Sequence, residues 1–250
     1  MSNDTALANL VVVLADNKYF LGRRVSEWAI AAPTLEASIA CAAITKEELG
    51  HTRPLYSLIE QLDVPNPPVS LEREDDRERK YCVTFLRERL PSWPSAMAAL
   101  FLVDTALNVM LEGLAAGHHE VLRRRAARLI ADEPVHRTFV LGRIKELAES
   151  PSAELLAEAT RSMLPELLCW FGPPGEPGVE ELRASGFVTL DNDALRQAFL
   201  ERVARPLREA GIGIGVEWSE EHDRWEYPDL PWENWNSLER RLVETTSAPA

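Results

Sequence analysis

Apolar side chains recur every three to four residues along most of this chain, the spacing of helices that bury one face. The first such segment spans about 6–32 and breaks at Ala32-Pro33-Thr34, where Pro33 is suited to open a second helix over 34–62. That second segment stops at the breaker-rich DVPNPPVS. LEREDDRERKYCVTFLRERL (71–90) predicts a charged, peripheral helix. A strongly apolar helix follows over 94–116, then Gly117, then a helix over 118–150. Further helices are expected over 152–170 and, beyond the loop GPPGEPG, over 192–210. The tail from Gly211 carries Trp218, Trp225, Trp232 and Trp235 and predicts an irregular wrap held down by its rings. Strand signals are weak, because no alternating run is bounded by hairpin turn residues. With no long linker, the pattern predicts one all-α domain over 1–250. It would be a four-helix bundle with extra C-terminal helices and an irregular Trp-rich tail.

Each core stripe is interrupted near its middle. Lys18 falls between Leu14 and Leu21, and Glu48 and His51 fall between Ile44 and Leu55. Asp104 and Asn108 interrupt the run from Phe101 to Leu111, and Glu133 and His136 interrupt that from Leu129 to Val140. An ionised side chain buried alone costs on the order of several kcal/mol or changes its protonation. Two Glu-x-x-His pairs on core faces therefore call for a shared partner, and a metal ion is the simplest one. Residues three apart lie side by side on a helix, so carboxylate and imidazole can grip one ion. That spacing on two helices, with an acid from each of the other two, is the pattern of carboxylate-bridged dimetal bundles.

Register narrows the set. Folding the first two helices back at Pro33 puts Glu48 and His51 opposite positions 18 and 15. Folding the next two near Gly117 puts Glu133 and His136 opposite positions 102 and 99, close to Asp104. The competing acids Glu27 and Glu112 would sit about 12 to 14 Å away along their axes. Glu48 to Glu133 and His51 to His136 are each 85 residues apart, and Lys18 to Asp104 is 86. The chain therefore reads as two copies of a helical hairpin about a pseudo-twofold axis, with Lys18 where a carboxylate belongs. Glu47 and Asp132 are placed either to hydrogen-bond the histidines or to face solvent. Cys41, two turns before Glu48 on the same stripe, borders the site as a small core residue rather than a ligand. Pro54 and Pro134 fall inside helices and predict kinks.

Composition sets outer limits. Of 250 residues 46% are apolar, enough for a substantial core. No run approaches the roughly 20 apolar residues that cross a bilayer. The opening MSNDTALANLVVVLADNKYF lacks a basic start and predicts no signal peptide. Three scattered cysteines, Cys41, Cys82 and Cys169, suggest reduced thiols and a cytoplasmic protein. A net charge of -13 argues against nucleic acid and against an anionic membrane surface as partners.

Several segments are similar to the catalytic subunit of phenylacetyl-CoA epoxidase, a ferritin-like diiron oxygenase. They are SEWAIAAPTLE with KEELGHTRPLYSLIEQL, LFLVDTALNVML, ADEPVHRTF, LPELLCWFGP, DNDALRQAFLERVARP and VEWSEEHDRWEYPDLPWENW. The opening ADNKYFLGRRVSEW also resembles that family's non-catalytic subunit, which has lost metal ligands. Carried over, the resemblance puts metal ligands at Glu48, His51, Asp104, Glu133 and His136, and replaces the first-helix glutamate with Lys18. It implies a ferritin-like fold, iron (manganese would suit the same ligands) and O2 as co-substrate. It also implies a small-molecule or acyl-thioester substrate. A reductase or ferredoxin would supply electrons, and a homo-oligomer or a related ferritin-like subunit is the expected assembly.

Three states of the site stay open. Lys18 is neutral or carbamylated beside two ions; its ammonium replaces one ion of the pair; or it forms ion pairs in a metal-free partner subunit. Substrate would enter past Phe101 and Asn108.

Overall fold

The computed structural model describes residues 3–72 and 81–243. Two long antiparallel hairpins make its centre. Helix α1 (Asn3–Trp28) pairs chiefly with α2 (Leu35–Ile59), and α3 (Trp93–Ala115) with α4 (Glu120–Ala148). Local chemistry sets the helix starts. Thr34, extended and just after Pro33, accepts from the Ala37 N–H, so Pro33 lies outside α2 rather than at its first turn. Ser92 caps α3 with Pro94 in the first turn, and the His119 Nδ1 accepts from Leu122 to begin α4.

Helix α3 is buried on nearly every side, against α1, α4, α5 (Ala153–Trp170) and α7 (Asn192–Glu209). Among the described residues it alone is long and apolar enough to cross a membrane. However, 89% of its most apolar window lies inside the bundle, as in a core helix. At the α3–α4 turn, a Cβ on Gly117 would sit 2.2 Å from the Phe187 carbonyl oxygen. Only glycine permits that approach, which the next residue uses when the His118 N–H donates to the Gly186 carbonyl.

Several expectations need correction. Within 71–90 the described part holds only a 3-10 turn at Thr84–Leu86, and 73–80 lie outside the described residues. Asn17 of α1 explains the turn's position. Its amide donates to the Tyr81 carbonyl and accepts from the Val83 N–H, pulling that stretch onto the bundle as a loop. A short helix α6 (Pro177–Ala184) begins inside the segment read as the loop GPPGEPG, capped by the Glu176 carboxylate on Gly178 and Val179. The tail does contain strands. β1 (Glu217–Ser219) pairs antiparallel with β2 (Arg224–Glu226), and β3 (Trp235–Asn236) with β4 (Arg241–Leu242).

Two buried arginines fasten this tail. Arg196 of α7 donates to the carbonyls of Leu168 and Gly172 and lies against Tyr227 and Trp232. Arg240 donates to Trp170 and Phe171, pairs with Glu176 and lies over Trp235. Between them they satisfy carbonyls at the C-terminal end of α5, which no helical N–H can reach.

Candidate metal centre

The four stripe interruptions meet at one depth. Lys18 is wholly buried, and its Nζ donates to Glu48 at 2.9 Å, Asp104 at 3.0 Å and Glu133 at 2.8 Å, one carboxylate from each of the other three helices. One ligand atom from each of Glu48, Asp104, Glu133 and His136 lies within 4.8 Å of every other. His51 stands at the margin, its Nδ1 3.6 Å from Glu133 Oε1. Glu27 and Glu112 lie outside the cluster and pair with Arg24 and Arg202. Cys41 is buried on the α2 stripe but has no place among the clustered atoms.

The acids that precede each Glu-x-x-His pair reach across to the opposite helix. Glu47 of α2 accepts from His136 Nε2 at 2.6 Å, and Asp132 of α4 accepts from His51 Nε2 at 3.2 Å. An ionised carboxylate only accepts, so both Nε2 atoms carry the proton and both Nδ1 atoms turn inward. This crossed exchange is what the pseudo-twofold relation requires. The symmetry breaks at two related places. Lys18 stands opposite Asp104. One turn further, Asn108 donates to Glu133 Oε2 at 3.1 Å, whereas its counterpart is Gly22, which has no side chain to offer Glu48. A Cβ there would lie 3.1 Å from the Glu48 Cβ, so the glycine also lets α1 approach α2 closely.

The electrostatics follow from burial and mutual contact. Burial opposes charge on Lys18, yet the carboxylates of Asp104, Glu133 and Glu48 outweigh it and hold its pKa well above the usual lysine value. Burial raises Asp104, with Lys18 offsetting only part, whereas Lys18 overcomes burial at Glu133 and holds it low. These opposite directions describe one proton shared by two adjacent acids. Burial would lower His136, but its approach to Glu133 and Glu48 pushes it up to about 11.

A cation fits one side of this cluster better than the other. Lys18 already serves the carboxylates. Among the described residues, Nδ1 of His51, Nδ1 of His136 and Oε2 of Glu48 make no well-aligned hydrogen bond, although all three are buried and His136 Nδ1 lies 3.3 Å from both Glu48 Oε1 and Glu133 Oε2. Once His136 gives up its proton, two imidazole nitrogens and a carboxylate oxygen suit a divalent transition metal. Charge balance also limits the number. Three carboxylates neutralise the Lys18 ammonium and one divalent ion, and a second such ion would leave an uncompensated buried charge of plus two.

Beside the cluster, along the α3–α4 seam, lies a cavity of about 340 Å³. Phe101, Asp104, Thr105, Asn108 and Glu112 line it from α3. Ile130, Glu133, Pro134, Arg137 and Val140 line it from α4, and Arg202 from α7. The expected entry side, Phe101 and Asn108, is therefore part of this wall. Helix α4 runs through Pro134 and α2 through Pro54 without interruption, and Arg125 of α4 donates to the Pro54 carbonyl.

A helical bundle of ferritin-like fold with a buried carboxylate–histidine cluster is the class that this architecture defines. Residues 1–241 match the family described as phenylacetic acid catabolic protein, and the chain belongs to that family. The match bears out the resemblance seen in the sequence. A search of curated proteins finds no match.

Proposed function

We propose that this protein is an iron-dependent oxygenase component of phenylacetate-type catabolism, holding one iron beside the Lys18 ammonium. The observation that carries this reading is the pair of buried Nδ1 atoms that face the Glu48 and Glu133 carboxylates at 3.3 to 3.6 Å, each fixed from behind by a carboxylate on its Nε2. Glu48, Glu133, His136 and His51 would hold the ion, with Asp104 shared between it and Lys18. When bound, iron supplies the redox chemistry by which O2 is reduced. Lys18 bonds and orients three carboxylates, so the donor set is positioned before any ion arrives. Asn108 aims Glu133, while Glu47 and Asp132 fix the histidine tautomers. Apolar walls at Phe101, Ile130 and Val140 exclude water from the substrate side. External electrons would come from a reductase or ferredoxin, and three free, buried cysteines agree with a cytoplasmic setting. The whole chain would act as one domain.

A second reading has its own support. The three ion pairs of Lys18 make the carboxylate side self-sufficient, as a non-catalytic subunit of a multicomponent enzyme requires. Ile30, Leu35 and Ile39 are exposed apolar side chains that a companion subunit would cover.

Anaerobic loading with Fe(II), removal of free metal and an elemental count separate the two. The charge balance predicts about one iron in the native chain, almost none in His136→Ala and about two in Lys18→Glu. O2 uptake with an electron donor should follow iron content. A native chain that retains no iron sinks the oxygenase reading and leaves the companion-subunit one.

A further inference from the structure

The cavity beside the cluster has a cation with which, among the described residues, no carboxylate makes an ion pair. Two guanidinium groups reach this space. Arg202 is already engaged, with Nη2 2.6 Å from a Glu112 carboxylate oxygen. Arg137 is not: among the described residues its one hydrogen bond is a long 3.5 Å donation to the Arg202 carbonyl, and no carboxylate pairs with it. Its side chain is half-buried, so water solvates it only in part. Asp104 and Glu112 act on it only at a distance, the first bonded to Lys18 and the second to Arg202. A half-buried guanidinium with open donors is a receptor for a planar, bidentate anion, and a carboxylate matches its fork.

We propose that this cavity takes a small apolar molecule in the form of its free carboxylate, with Arg137 holding the acid group. The inference deepens the oxygenase reading and rests on it for the fate of the ligand, though not for its binding. Arg137 lies one helical turn beyond Glu133 on α4, about 6 Å along the axis. An acid anchored there would lay its hydrocarbon body on Phe101 and Val140, next to the cluster. A volume of about 340 Å³ is at the small-ligand end of pocket sizes. A nucleotide-bearing thioester is disfavoured on charge. It would bring several phosphates to a protein of net charge -13 whose cavity, among the described residues, offers one free cation. A neutral amide or an amine would leave the guanidinium unmatched.

The test is equilibrium binding, by calorimetry or ligand-observed NMR, of phenylacetate, its neutral isostere phenylacetamide and phenylacetyl-CoA to the full chain without turnover. The acid should bind about ten- to a hundred-fold more tightly than the amide, the range for one charge-assisted contact. Arg137→Gln should erase that preference and Arg137→Lys should restore part of it, with circular dichroism melts confirming that both fold. Equal binding of acid and amide to the native chain overturns the proposal, as does tighter binding of the thioester, no binding at all, or an undiminished preference in Arg137→Gln. Iron content is read separately. A chain that holds no iron yet prefers the acid would lose the oxygenase reading and keep this site.

Discussion

An ammonium among three carboxylates is tolerable in a protein interior only because every charge meets another, and the protons at this site follow from that. Glu133 is held low, so its contribution to stability is present above the ordinary 4.5 and is lost as pH falls. Asp104 is held high, so its ionisation erodes stability as pH rises above the ordinary 3.8. His136, at about 11, stabilises fully below 6.5 and progressively less as pH climbs toward that value. Thermal melts of chelator-treated protein should therefore peak near pH 4.5 and decline on both sides. A divalent ion must displace the His136 proton, so added metal should stabilise increasingly with rising pH. A metal-induced shift in Tm that is flat from pH 5 to 8 would remove His136 from the ligand set.

Among the helices, the α3–α4 hairpin depends on one missing side chain. Gly117→Ala would drive a Cβ into the Phe187 carbonyl. Urea titration should show a loss of about 1–3 kcal/mol, the usual cost of forced overpacking. The long helices were legible because each buries a stripe through about six to eight turns. The interruptions at positions 18, 48, 51, 104, 133 and 136 were legible because polar groups on such stripes need a partner. Helix α6 was not: eight residues give barely two turns, and its Glu-Pro-Gly start reads as a loop. The Trp218–Trp225 ribbon is three residues a side, too short for alternation to stand out. LEREDDRERKYCVTFLRERL carries helical composition, yet Asn17, which lies far away in sequence, holds its described end as a loop. Arg137 left no trace either. Nothing along α4 distinguishes a cation that faces a cavity from one that faces water.

For the molecule as a whole, the two hairpins supply the cluster and the tail supplies closure. Arg240→Met would strip donors from the Trp170 and Phe171 carbonyls and leave Glu176 without its cation. The expected loss is about 3 kcal/mol, with faster proteolysis of the tail at native pH as the direct readout. An unchanged cleavage rate would mean the tryptophan rings hold the tail unaided. The Arg240 bonds also join positions 70 and 69 residues apart. During synthesis, α5 leaves the ribosome well before the guanidinium that will cover its end exists. At typical elongation rates the wait is about 4 to 14 seconds. For that interval the nascent bundle stands with bare carbonyls at one end, a window in which chaperones or proteases meet it before its final stitch is made.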